Sequence, residues 1–224
     1  MYKKDKFRNL DKKYNSHLYT GLLGILMNYC HRKLENFNKK DGYDKILEIG
    51  AGSAPHIKYL SHNYNEYHIV DTSDYAKEIY KNETNSKIIF KTYNGVNLPY
   101  DNEYFDRIII SHTLEHILSP EEFIFEMMNK LKKGGVLSIA LPTDPGFAWR
   151  LGRLIIRLFS IRKTYNISGE EYEYINATEH INSIFNLISI IRFHYKDIIS
   201  ENFLPFKIKS ADLNLFYNVQ IYKS

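Results

Sequence analysis

The spacing of apolar residues changes several times along the chain. Residues 16–37, SHLYTGLLGILMNYCHRKLENF, place Leu18, Leu22, Ile25, Leu26, Tyr29 and Leu34 at intervals that predict one buried helix face. Asp41-Gly42 breaks this pattern, and five short runs rich in β-branched residues follow: Lys45–Ile49, Tyr67–Val70, Lys87–Lys91, Arg107–Ser111 and Val136–Leu141. Runs of this length predict strands buried on both faces. Helical stretches near 54–62, 73–82 and 120–131 lie between them, and Gly134-Gly135 is placed to close the last helix. Strands and helices alternating in this way predict an α/β, doubly wound, mostly parallel sheet. After Pro142 the rhythm is different. Residues 143–196 hold two apolar helical candidates, and Phe206–Leu213 with Leu215–Tyr222 reads as an antiparallel strand pair.

Composition narrows the class. The chain has 224 residues, 44 % hydrophobic and 25 % charged, which suits one globular domain. Its net charge of +4 is mild, and nucleic-acid partners are not expected. Cys30 is the single cysteine, which excludes an internal disulfide framework and a cysteine-rich zinc site. The opening MYKKDKFRNLDKKYN has no apolar core of the secretory kind, and no window reaches the ~18 apolar residues of a membrane span. A cytoplasmic location is the expectation.

The candidate chemistry begins at Ile46–Pro55, ILEIGAGSAP, where a strand ends in Gly50-x-Gly52. Gly50 suits a tight turn, and Gly52 lets backbone approach a ligand with no Cβ in the way. Asp71 ends the next strand about 20 residues on, the spacing of an acid that binds ribose hydroxyls. Pro55 stands where a dinucleotide loop wants its third glycine, which disfavours nicotinamide and flavin dinucleotides. Further along come Asn94-Gly95, Leu98-Pro99, Phe105-Asp106, Leu114-Glu115-His116 and Leu131-Lys132-Lys133-Gly134-Gly135.

In this order the motifs resemble the class I S-adenosylmethionine (SAM) dependent methyltransferases of the type 11/12 kind, over about residues 42–142. The resemblance implies a Rossmann-like seven-stranded sheet with an antiparallel last strand and a helical lid inserted between strands five and six. It implies one domain: an N-terminal helical segment (1–41), a SAM-binding core (42–142), a substrate lid (143–196) and a C-terminal strand pair (197–224). SAM would be the cofactor and S-adenosyl-L-homocysteine its product. Glu48, Gly50, Ala51 and Gly52 would face the methionine part, Asp71 the ribose, Thr72 the adenosine, and Asn94 and Gly95 the adenine. Ser111 and His112 would border the sulfonium. Ala54, small like the family's third glycine, fits the loop.

An acceptor must be aligned with the methyl and relieved of its proton, so His112, His116 and His180 are the candidate bases. Some methyltransferases acting on RNA ends hold a metal with a pattern similar to His112, Glu115, His116 and His180, which makes a divalent ion an alternative role for these four. Arg150, Arg153 and Arg157 recur at helical spacing, with Arg162-Lys163 beyond, as a solvated lid face, an anion-binding wall, or a basic amphipathic helix on a membrane surface. Asp144, in a Pro-Thr-Asp-Pro-Gly turn, is placed to orient a hydroxyl or simply to shape the turn. The 142–195 segment resembles lids of bacterial methyltransferases of surface-polysaccharide biosynthesis. It implies O-methylation of a sugar, a sugar phosphate or another phosphorylated or nucleotide-activated glycan precursor for capsule polysaccharide. A membrane-borne quinone- or lipid-like acceptor, with peripheral membrane contact, is the alternative; a non-catalytic SAM-binding protein is a third reading.

Overall fold

The computed structural model describes residues 19–36, 40–52, 56–72, 74–95, 97–159 and 168–224. Ser53, Ala54, Pro55, Arg162 and Lys163, and the start of the first expected helix, lie outside these residues.

Seven strands form one sheet: β1 (Gly42–Ile49), β2 (Asn63–Asp71), β3 (Ile88–Thr92), β4 (Phe105–Ser111), β5 (Leu131–Pro142), β6 (Ile199–Leu204) and β7 (Phe216–Tyr222). Their order is β3-β2-β1-β4-β5-β7-β6, and β7 runs antiparallel to both its neighbours. The helices are α1 (Gly21–Asn36), α2 (Asp74–Tyr80), α3 (Pro120–Lys130), α4 (Phe147–Phe159), α5 (Gly169–Glu179) and α6 (Ile184–Tyr195). The doubly wound sheet expected from the sequence is therefore present, with its last strand antiparallel.

Side-chain alternation along the central strands feeds two cores. Leu47, Ile49, Ile108, Ile110, Leu137 and Ile139 pack with Phe123, Ile124, Met127 and Leu187 of α3 and α6. Ile46, Ile69, Ile109, Val136 and Ala140 pack with Met27, Cys30 and Leu34 of α1. The α1 face also carries a buried polar chain. Tyr19 O–H donates to His31 Nε2 (2.8 Å), and His31 Nδ1 meets His56 Nδ1 at 2.9 Å. His56 Nε2 reaches Glu35 Oε2 at 3.2 Å, and Arg107 Nη1 donates to that same oxygen at 2.7 Å. A carboxylate only accepts, so His56 carries its proton on Nε2 and takes the Nδ1 proton of His31. Both rings are then neutral and each proton in the chain has a defined owner.

Three expectations are corrected. Among the described residues the segment 143–196 holds three α-helices rather than two, because α5 has too few apolar positions to stand out. Its start is fixed by a capping box in which Ser168 Oγ accepts from Glu171 N–H. The tail pairs Ile199–Leu204 with Phe216–Tyr222, not Phe206–Leu213 with Leu215–Tyr222. Phe206, Ile208 and Leu213 are exposed in a connection that Asn214 organises, accepting from Phe206 N–H and donating to the Ile208 and Ser210 carbonyls. Finally α3 ends at Lys130, and Gly134 (φ +73°) lies within the irregular start of β5, where its N–H donates to the Lys223 carbonyl.

Candidate functional site

The sheet reverses its order between β1 and β4, and in open α/β sheets the ligand crevice lies at such a switch point, beyond the carboxyl ends of the parallel strands. Gly50 (φ +70°) leaves β1, its N–H donating to the Val70 carbonyl at 2.9 Å. A Cβ on Gly50 would stand 2.4 Å from Thr113 Oγ1, so the loop needs glycine for space as well as for φ. Gly52 (φ +52°) is the opposite case. Its Cβ would meet no other atom of the described residues within 4 Å, and its N–H donates to Asp71 Oδ2 at 3.0 Å. The glycine loop and the acid of β2 are thereby fastened together at one end of the crevice. Ala51 packs inward beside them. Gly95 (φ +80°) approaches Thr72, whose Cγ2 would lie 3.5 Å from a Cβ at that position, so the ends of β2 and β3 close the same side.

Two residues assigned by resemblance to the cofactor are turned elsewhere. Glu48 is buried beneath the loop, where Oε1 accepts from His56 N–H (2.6 Å) and Oε2 from Tyr67 O–H (2.6 Å). It holds the loop from below rather than facing a ligand. Burial pushes its carboxyl up to about 7, although these hydrogen bonds favour the charged form. Asn94 is exposed and its Oδ1 accepts from Asn97 N–H at 3.2 Å, shaping the turn.

At the exit of β4 the crevice changes character. His112 (φ +53°) follows Ser111, and its N–H donates to the Ala140 carbonyl. Burial holds His112 down to about 3, with help from the nearby His180 and His116, so the ring is neutral and a poor proton acceptor. Leu114–His116 forms one 3₁₀ turn that buries Glu115 and leaves His116 partly exposed. Burial raises Glu115 to about 7. His180, at the end of α5, comes to this turn from the lid, its ring centroid 5.2 Å from that of His116. Asn182 ties the two segments together: its N–H donates to the Glu115 carbonyl and its Nδ2 to the Ile117 carbonyl (2.6 Å).

The buried side-chain atoms Ser111 Oγ, His112 Nε2, Glu115 Oε2 and Trp149 Nε1 have no hydrogen-bond partner among the described residues. Ring contacts link three of their surroundings, since Phe216 lies 5.6 Å from His112 and 6.1 Å from Trp149, and Trp149 lies 6.4 Å from His180. Convergent polar groups left unsatisfied in a crevice are what a ligand site presents. Trp149 had no role in the sequence reading; it is the chain's single tryptophan, placed on the inner face of α4.

The arginine wall is also corrected. Arg153 pairs with Asp144 (3.2 Å) and Glu173 (3.1 Å), and Arg157 pairs with Glu173 (3.4 Å). Their charge is used inside the lid, while Arg150 stays exposed. Asp144 accepts from His180 Nδ1 at 2.7 Å, so it orients a histidine rather than a substrate hydroxyl. These hydrogen bonds and the Arg153 charge overcome burial and lower the Asp144 carboxyl.

Residues 47–139 match the model of a methyltransferase domain. A demethylmenaquinone methyltransferase of Corynebacterium urealyticum is 26 % identical over 136 residues, covering 59 % of this chain. The chain spans 58 % of that relative's length. A ubiquinone/menaquinone biosynthesis C-methyltransferase of Wigglesworthia glossinidia brevipalpis is 27 % identical, with 79 % of this chain and 74 % of the relative covered. Among solved structures, the plantazolicin methyltransferase in complex with S-adenosylhomocysteine (SAH) superposes with a TM-score of 0.64 at 16 % identity, covering 97 % and 90 % of the two chains. A SAM-dependent methyltransferase of Thermotoga maritima, a possible histamine N-methyltransferase, gives 0.60 at 16 % identity, covering 97 % and 98 %.

Proposed function

We propose that the chain is a class I SAM-dependent methyltransferase, as the match of residues 47–139 to a methyltransferase domain supports, and that its acceptor is a lipid-borne quinol-like ring. The observation that carries this reading is the outer face of α4. Phe147, Leu151, Leu154, Ile155 and Leu158 are each 47 % exposed or more and share one helix stripe, with the exposed Arg150 along one edge. The inner face of that helix brings Trp149 and Arg153 to His180 and Asp144. An apolar stripe edged by arginine suits the interface of an anionic membrane, and it lies directly outside the acceptor end of the crevice. Among the described residues, no helix is long and apolar enough to cross a membrane. The glycan-phosphate acceptor loses its main support, because Arg153 and Arg157 already have acidic partners. The curated relatives, named for menaquinone and ubiquinone biosynthesis, favour the same class of ring.

SAM supplies a methyl on a sulfonium, an electrophile that needs no activation by the protein. This chain's residues have the remaining tasks. Gly50–Gly52 and Asp71 hold the donor end, Trp149 and Phe216 wall the acceptor end against water, and Glu115, His116 and His180 receive the acceptor hydroxyl. For methylation at a ring carbon, Glu115 would take up the proton that the ring carbon gives up.

The test offers radiolabelled SAM with either a prenylated naphthoquinol in anionic vesicles or a panel of nucleotide-activated sugars and sugar phosphates. Label is expected in the quinol. Label in the sugars, with the quinol untouched, would overturn the assignment in favour of glycan O-methylation.

A further inference from the structure

We propose that Glu115, His116 and His180 form a binding site for one divalent transition-metal ion at the acceptor end of the crevice. A donor atom of each lies within 4.8 Å of the other two, and His116 Nε2 stands 3.9 Å from Glu115 Oε1. His112, the fourth residue expected from the sequence, is outside this group.

The proton positions are what give the cluster its meaning. Glu179 O, a carbonyl, accepts from His116 Nδ1 at 2.5 Å, and the Asp144 carboxylate accepts from His180 Nδ1 at 2.7 Å. Each neutral ring therefore keeps its lone pair on Nε2. Metal-binding histidines are held in the same way, with the second nitrogen donating to a carbonyl or carboxylate that fixes the tautomer. Asp144 is itself held by Arg153, and Arg153 by Glu173, so the support extends three residues behind the donor.

Glu115 supplies the second, independent observation. The residue is 3 % exposed, and its Oε2 is buried without a partner among the described residues. A buried oxygen left without a partner is destabilising, and a cation beside it would remove that cost. Donor distances near 2.1 Å require the three groups to draw together by about 1–2 Å. His116, a third exposed at the mouth, has the freedom to turn. Two imidazoles and one carboxylate select ions such as Mn²⁺, Fe²⁺, Co²⁺ or Zn²⁺ over Mg²⁺, which prefers oxygen alone. Three protein donors leave coordination positions open to an acceptor oxygen. The role of the ion rests on reading this cluster as the acceptor end; its binding does not.

Tag-free, chelator-stripped protein titrated with Co²⁺ and followed by visible absorption tests the site without any acceptor. One equivalent is expected to bind with ligand-field bands, displaced by Zn²⁺. Glu115→Gln and His180→Ala should each weaken binding at least tenfold. Asp144→Asn, which removes the carboxylate that orients His180 and pairs with Arg153, should weaken it about 10–100-fold. Calorimetric SAM binding, expected to persist in all three, reports that the fold is intact. Absence of saturable Co²⁺ binding in protein that binds SAM would overturn the proposal, as would wild-type Co²⁺ affinity in both Glu115→Gln and His180→Ala. Normal Co²⁺ binding without quinol methylation would sink the acceptor assignment and leave the metal site standing.

Discussion

Gly50 and Gly52 look alike in the sequence, yet the structure gives them different tasks. At Gly50 a methyl would collide with Thr113, a residue of the β4 exit, so any side chain there must push β1 and β4 apart. At Gly52 a methyl meets nothing among the described residues, and the penalty is backbone strain, about 1–2 kcal/mol for an alanine at positive φ. The open space above Gly52 is where the donor's backbone-facing edge would lie. Gly52→Ala is therefore expected to lose no more than about 2 kcal/mol in urea unfolding while weakening SAM binding by tenfold or more in calorimetry. Retained SAM affinity would mean that the donor does not pass over Gly52. Gly50→Ala should lose both stability and SAM binding, because the displaced Thr113 lies between the donor end and Glu115.

Elements differ in how far local pattern determines them. Four of the five parallel strands, β1, β2, β4 and β5, were legible because their buried stretches read as apolar runs, while the half-exposed edge strand β3 showed through Ile88-Ile89-Phe90 alone. α5 was not, since only Tyr172, Ile175 and Asn176 are buried and its one local signal is the Ser168–Glu171 capping box. The site follows the same division. Gly50, Gly52 and Asp71 sit at strand ends, where short motifs fix their geometry. The set Asp144, Arg153, Glu173 and His180 is drawn from three separate elements, and only tertiary structure shows that the lid arginines are already paired. α1 carries a prediction of this kind. Glu35 accepts from Arg107 Nη1 and His56 and pairs with His62 at 2.6 Å, all of them buried. Glu35→Gln would strand the Arg107 charge inside the sheet, and a loss of roughly 3–5 kcal/mol in denaturant unfolding is expected. The exposed stripe of α4 should behave oppositely. Leu154→Gln with Leu158→Gln should change stability by less than about 1 kcal/mol yet lower turnover of vesicle-borne quinol; unchanged turnover would remove the membrane role of this face.

For the molecule as a whole, the polar chain beneath α1 makes stability a function of pH in a way that has two opposing parts. His56 faces His31, Glu35, Arg107, His62 and Tyr59, and burial holds it down to about 4, against the Glu35 hydrogen bond. Burial and the neighbouring His56 and His112 also keep His31 neutral, well below its ordinary value. For groups lowered in this way the unfolded chain takes up protons first. Their contribution is complete above pH 6.5 and is lost as the pH falls toward 4. Glu48, one loop away, is raised to about 7, so the folded state takes up its proton first. Its contribution is present below about 4.5 and is lost as the pH rises to 7. Between pH 6.5 and 4.5 the carboxyl therefore offsets part of what the histidines lose. Glu48→Gln keeps one acceptor oxygen for His56 N–H and can turn its amide N–H toward the Tyr67 hydroxyl oxygen, but it removes this compensation. Urea-unfolding free energies of the variant are expected to fall more steeply than wild type on acidification, the gap reaching about 3 kcal/mol across the window at ~1.4 kcal/mol per pH unit. Parallel profiles would show that Glu48 enters the folded core charged, and would leave the histidines alone to set the acid limit of the fold.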